Sequence, residues 1–322
     1  MLTLFHFDQG ILKQSLAEGV IDFLPEQTVW LDLLMPSRED ETAIARLIGV
    51  DVPSHEEMQE IEASSRLYEE NGALVMTMPV LSQATSDQPL ASAVTFILAE
   101  KRLVTVRYVD PQPFVAFMRR LGRQPALVAS GESAMVGLLE QITDRLADVL
   151  EFATADLEAI SRGIFSKSGP SKSGADFKDI LQSVGRAGDL ATKAKDSLLG
   201  LNRLLLFLGT QAGIRKDIKL RMKTLMRDAN SIAEHAAFLS TKVSFLLDAT
   251  LGMINIEQNN IIKMFSVAAV AFLPPTLIAS IYGMNFHEMP ELHWNYGYPL
   301  AVILMVLSAV IPLIYFRRKK WL

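Results

Sequence analysis

Apolar and polar positions change rhythm along this chain, and each rhythm predicts a different element. Up to about residue 125, short β-rich runs are bounded by turn signals. Val29–Leu34, Ala73–Leu81, Ala93–Leu98 and Leu103–Val109 read as strands. Ser37-x-x-Asp40 and Ser54-x-x-Glu57 have the form of helix N-caps. Pro111–Leu121 reads as a short helix closed by Gly122. From Glu132 onward the strand signals stop. Glu132–Ile164 and Asp176–Leu208 carry helical apolar spacing. The Ser/Gly-rich stretch Phe165–Gly174 between them predicts a turn or flexible loop, and Gly209–Gly213 interrupts the second helix. This first part is read as mixed α/β, an α+β arrangement followed by helices.

Ile214–Tyr282 has no proline before Pro274 and a single glycine, Gly252. As one helix of about 69 residues it would be about 100 Å long at 1.5 Å per residue. Ile232, Leu239, Val243, Leu246, Leu247, Leu251 and Ile254 recur at three- and four-residue spacing, as a packing seam requires. A lone stalk would expose that face, and oligomerisation is the simplest remedy.

The rhythm then gives way to continuous apolar runs. Met264–Tyr282 and Tyr298–Phe316 each run nineteen residues without a charge. A helix crosses the hydrocarbon core with roughly twenty apolar residues. Pro274, Pro275 and Pro312 would break a soluble helix but are tolerated in a spanning one. A pair of buried core helices is the alternative, and the flanks favour a membrane. Lys263 precedes the first run, and Arg317, Arg318, Lys319 and Lys320 follow the second. Tyr282, Trp294, Tyr296, Tyr298, Tyr315 and Trp321 fall at the predicted interfaces. Basic residues stay on the cytoplasmic side, which places both termini inside and the loop Asn285–Gly297 outside. The N-terminal stretch lacks the basic region and apolar run of a secretory signal. The loop is acidic through Glu288 and Glu291. The divisions are therefore 1–130, a cytoplasmic α/β domain; 131–213, cytoplasmic helices; 214–282, a stalk continuing into the first span at about 264–282; 283–297, an outer loop; 298–316, the second span; and 317–322, a basic tail.

Composition narrows the function classes. The net charge of −5 and the lack of a basic patch interleaved with aromatics argue against nucleic acid. The absence of cysteine excludes thiolate metal sites and cysteine nucleophiles. The five histidines are scattered, with no HExxH, and Ser166-Lys167 and Ser171-Lys172 read as turn residues. No G-x-x-x-x-G-K-[ST] loop is present, so no nucleotide is expected. An enzyme is disfavoured. The informative feature is Gly283-Met284-Asn285, a neutral polar end to an apolar span, which reads as an anchor that also conducts. A plain helix C-cap is the competing role for Asn285.

At Tyr282-Gly-Met-Asn-Phe286, followed by Met289-Pro-Glu-Leu292, the chain resembles the CorA family of divalent-cation transporters. Ile254–Lys263, Trp294, Gly297-Tyr-Pro299 and the terminal Tyr315–Leu322 are similar to the enterobacterial members. Glu57–Arg66 looks like the acidic segment of the family's cytoplasmic domain. The resemblance covers essentially the whole chain and is strongest over its last seventy residues.

The resemblance implies a homopentameric funnel in the bilayer of the inner membrane, with first spans lining a pore and second spans around them. Gly283, Met284 and Asn285 would form the selectivity filter. Mg²⁺ gives up water reluctantly, so a ring of Asn285 carbonyls would hold it through its own waters. Asn259, Ile262, Ala269, Leu273, Thr276 and Ser280 would face the axis, with Leu273 a hydrophobic constriction; packing is the competing role for each. Glu288 and Glu291 would concentrate cations at the outer mouth, or be ordinary solvated charges. Arg317, Arg318, Lys319 and Lys320 would ring the inner end, beyond their role as topology anchors. Mg²⁺ is implied both as transported substrate and as regulatory ligand. Asp228, Glu234, Glu57, Glu60 and Glu62 are candidates to bridge neighbouring subunits through it, although an acid that some distant members carry is missing near Thr224. Passive, potential-driven Mg²⁺ influx is expected, with Co²⁺ and Ni²⁺ as further ions. A Zn²⁺-transporting member and a non-conducting membrane-anchored sensor are the alternatives.

Overall fold

The computed structural model describes residues 1–17, 19, 21–86, 88–165, 174–285 and 289–319. The expected Ser/Gly loop, with Ser166-Lys167 and Ser171-Lys172, lies almost wholly outside them, as do Phe286, Glu288, Lys320 and Trp321. Two compact units result. One comprises Met1–Lys172 and Lys178–Leu247, the other Ser173–Phe177 and Asp248–Leu322.

The first unit is built on strands β1 (Leu2–Asp8), β2 (Ile11–Leu16), β3 (Thr28–Leu34), β4 (Leu67–Glu70), β5 (Ala73–Ser82), β6 (Leu90–Ala99) and β7 (Arg102–Arg107). They form one sheet in the order β2-β1-β3-β7-β6-β5-β4, antiparallel except where β3 pairs β7. Strands β3, β5, β6 and β7 stand where the apolar runs predict them. Strands β1, β2 and β4 were not expected. Their hairpins close on two-residue turns, Gln9-Gly10 and Asn71-Gly72, with positive φ at both positions. That backbone matches the twist of paired strands, and Asn-Gly is its strongest short signal.

Side chains alternate across the sheet. Trp30, Phe96 and Leu103 face the helical side, while Leu31, Ile97 and Val104 face the other. The second face is covered by α1 (Arg38–Ile48) through Ile44, and by Met58. Ser37 caps α1 as expected, with its hydroxyl accepting from the Asp40 N–H and the Asp40 carboxylate accepting in return. Ser54 and Glu57 bond similarly, at 2.8 Å from the Ser54 N–H and 2.9 Å from its hydroxyl. Only a 3₁₀ turn, Glu57–Gln59, follows, because Glu60 turns extended at φ −56°, ψ 143°. A short helix α2 (Ala63–Arg66) leads into β4.

The helical face is covered by α3 (Gln112–Leu121), α4 (Gly131–Phe165), α5 (Gly174–Gly209) and the start of α6 (Lys216–Tyr282). Against this face lies a buried ion pair. Asp32 on β3 accepts from Arg107 on β7 through Nε at 3.0 Å and Nη2 at 2.8 Å, and from the Thr105 hydroxyl at 2.7 Å. Trp30 donates to that same hydroxyl at 3.0 Å. Arg107 also reaches Asp110 and lies 4.6 Å from the Phe114 ring centroid. Burial works against the guanidinium charge, but the bonds and charges of Asp32 and Asp110 outweigh it and raise the Arg107 pKa.

Helix α6 is continuous from Lys216, so both prolines lie inside it. Its apolar seam is filled differently from the expectation. Met222, Leu225, Ala229, Ala236, Leu239, Val243 and Leu246 are buried in the core of their own unit. Arg221 bonds Glu140 of α4 at 3.0 and 2.7 Å, and Asn202 of α5 bonds Asn230 at 2.8 Å. The seam as far as Leu246 is therefore covered by helices of the same chain. Beyond Leu247 the exposure rises: Leu251 is 52% and Ile262 61% exposed.

In the second unit α6 continues to Tyr282, a 3₁₀ turn covers Pro290–His293, and α7 spans Gly297–Arg318. Only 11% and 6% of the most apolar windows of α6 and α7 are buried. A core helix of a soluble protein would be mostly covered. Apolar surface of this extent calls for lipid or other apolar protein.

Candidate functional site

The end of α6 is closed by its own backbone. The Gly283 N–H donates to the Ala279 carbonyl at 2.9 Å, and the Met284 N–H to Ile281 at 3.3 Å. Gly283 is not in the left-handed region. A Cβ there would meet the Ala279 oxygen at 3.1 Å, tighter than most such contacts. Asn285 follows, exposed, and no described residue hydrogen-bonds its side chain. The Ala279 and Ile281 carbonyls are thus served by main-chain donors, and among the described residues the Asn285 amide is left as a neutral dipole beyond the helix end.

Below it the helix carries no charge from Met264 to Tyr282. Asn259, Ile262, Ala269, Leu273, Thr276 and Ser280 are all exposed. The buried positions of this run, Val267 and Ala271, lie off that stripe on the far side of the helix. Two hydroxyls are tied to the helix itself: Thr276 Oγ1 donates to the Phe272 carbonyl and Ser266 Oγ to Ile262, both at 2.8 Å.

Of the two loop acids, Glu288 lies outside the described residues, and Glu291 falls in the turn Pro290–His293. Trp294 and Tyr296 stack edge-on at 6.0 Å before α7 begins. At the other end of α7, Arg317 and Arg318 occupy the last turn, and Lys319 Nζ sits 5.7 Å from the Tyr315 ring centroid. Cations there suit the negative end of the helix dipole. Lys320 is not described.

The candidate regulatory acids are not gathered within one chain. Among the described residues no three metal-ligating side chains are close enough to hold an ion. Glu57 is engaged by Ser54, whose backbone and hydroxyl bonds hold its carboxyl below the usual range. Glu60, Glu62 and Glu234 are exposed. Asp228 instead lines a cavity of about 630 Å³ with Glu140, Asp144, Arg120, Arg221 and Thr224. Burial raises the Asp144 pKa, and the charges of Glu140, Asp148 and Asp228 raise it further. Asp144 was not singled out in the sequence. Its only signal is that it shares a helix face with Glu140 and Asp148 at i, i+4 spacing.

The sequence pattern of the family described as CorA-like Mg²⁺ transporter protein matches residues 25–318. This chain belongs to that family. It is 35% identical over 322 residues, the full length of both chains, to the magnesium transport protein CorA of Pectobacterium atrosepticum. It is likewise 35% identical over 322 residues, again covering both chains fully, to that of Escherichia coli strain K12. Among solved structures, the complete CorA magnesium transporter of Methanocaldococcus jannaschii matches with a TM-score of 0.76 at 17% identity, over 100% of this chain and 99% of the other. That likeness establishes the fold: a CorA-type α/β N-terminal part, a long helix and two apolar C-terminal helices.

Proposed function

We propose that this CorA-family chain is the subunit of a homopentameric channel for passive Mg²⁺ influx across the cytoplasmic membrane, with both termini inside. The observation that carries the reading is the uncharged stretch of α6 ending at Asn285, whose side chain no described residue engages, in a chain of this family. A ring of Asn285 amides offers neutral oxygens to the waters of a hydrated ion. Such contacts select without trapping. The Leu273 ring below would constrict the path by dewetting. Glu288 and Glu291 would draw cations to the mouth, and the basic residues 317–320 would surround the inner end. Co²⁺ and Ni²⁺, of similar hydrated size, are expected to pass as well.

The driving force needs no nucleotide. One charge moved through 100 mV gains about 2.3 kcal/mol, so a divalent ion gains about 4.6. In proteoliposomes, Mg²⁺ uptake should rise steeply when an inside-negative potential is imposed and should not respond to ATP. Uptake of Zn²⁺ alone would favour the zinc-transporting alternative. No uptake of any divalent ion would favour the non-conducting sensor.

Internal Mg²⁺ is proposed to close the channel by bridging acids of adjacent subunits, among them Asp228 and Glu234 and the group Glu57, Glu60 and Glu62. What supports Asp228 is its place in one cavity with Glu140 and Asp144, where carboxylates lie near one another. Asp228→Asn is expected to shift the internal Mg²⁺ concentration that halves the current upward by about threefold or more, a modest pairwise term. An unchanged current–Mg²⁺ relation would remove Asp228 from the regulatory set.

A further inference from the structure

Two hydroxyls along the span share one property. Ser266 and Thr276 each give their hydroxyl proton to a backbone carbonyl one turn back. A hydroxyl has one proton and two lone pairs, so each oxygen offers only acceptance outward. Pro274 and Pro275 lie inside α6 and have no N–H. The carbonyls of Val270 and Ala271 therefore lack their α-helical donors, although Ala271 itself is buried off the Ser266 face.

Hydroxyl oxygens that can only accept favour a cation's water shell over an anion's. Waters around a cation turn their oxygens inward and their hydrogens outward, and Mg²⁺ keeps such waters. Waters around an anion present oxygens, which need donors. Ser266 is exposed and stands seven residues from both Asn259 and Leu273. On a helix of about 3.6 residues per turn it lies within about 20° of each. No role was assigned to Ser266 in the sequence.

We propose that the Ser266 hydroxyl is a further wall position of the conduction path, accepting a hydrogen bond from the water shell of a divalent cation between Asn259 and Leu273. The inference rests on the pore reading above.

The chain contains no cysteine, so single cysteines can be introduced without altering a native one. Full-length Ser266→Cys, reconstituted, should react with a water-soluble cationic methanethiosulfonate and lose Mg²⁺ uptake. Ala268→Cys, about 200° round the helix from Ser266, should not react. Ser266→Ala should slow uptake about threefold or more, the effect of one hydrogen bond. Ser266→Thr should restore it, because threonine also returns its proton to the preceding turn. Failure of Ser266→Cys to react, equal reaction of Ala268→Cys, or full uptake by Ser266→Ala would each overturn the subsite. Asn285→Ala measured alongside separates the two readings. If that variant is silent while Ser266→Ala transports normally, the pore stands and the Ser266 subsite falls. If both transport normally, the pore reading itself fails.

Discussion

Replacing Asn285 with alanine is expected to reduce Mg²⁺ uptake by reconstituted protein at least about tenfold. The estimate follows from a ring of neutral hydrogen bonds, each contributing roughly 0.5–1.5 kcal/mol, lost together from every subunit. The helix end itself should survive. Its closing bonds come from the Gly283 and Met284 main chain, which alanine at 285 does not touch. Assembly and stability should therefore remain near wild type while flux collapses, which separates a filter from a cap. Asn285→Asp should fail differently, by binding the ion more tightly and releasing it slowly. Uptake unaltered in Asn285→Ala would end the filter assignment.

The second large effect lies in the sheet. Asp32→Ala should destabilise the N-terminal unit by about 3–5 kcal/mol, because it leaves a buried guanidinium without its main partner. Asp32 and Arg107 side chains are only 1% and 3% exposed, so water cannot replace the lost bonds. Asp110 is half-exposed and cannot compensate fully. Replacing both residues with apolar side chains of similar volume should recover most of the loss, since the pair's attraction and its desolvation nearly cancel. Tryptophan fluorescence in a denaturant titration reads this directly. Trp30 is fully buried beside the pair, whereas Trp294 is 53% exposed. A loss below about 1 kcal/mol, the range of an exposed pair, would contradict the burial argument.

Local signals reveal some parts of this molecule and hide others. Strands β3, β5, β6 and β7 are visible because they are buried on both faces and read as continuous apolar runs. Strand β2 is largely exposed and β4 only half-buried, so neither shows such a run. Asn71-Gly72 would have marked the β4–β5 hairpin, and Gln9-Gly10 is a weaker cue for the first. The Ser54–Glu57 pair is a true local interaction, yet pairing alone does not nucleate a helix when the chain turns extended three residues later.

The α6 seam shows the same limit in another form. Its spacing says that one face must be covered but not by what. The expected answer was another copy; as far as Leu246 the cover comes from this chain. Buried polar pairs are hidden for a simpler reason. Asp32 and Arg107 are 75 positions apart, and Arg221 meets Glu140 across 81.

By itself the sequence determined the two apolar spans, the long helix that becomes the first of them, and Gly283-Met284-Asn285 at its end. Each is a property of contiguous residues, and uncharged length, proline placement and terminal polarity act locally. Only the tertiary structure decided that Asp228 shares a cavity with Asp144 rather than with Glu57, Glu60 or Glu62. It also decided that the Ser266 proton is turned inward to Ile262, leaving an acceptor outside. Both depend on which helix faces which and where a hydroxyl points, and residue order does not carry that information.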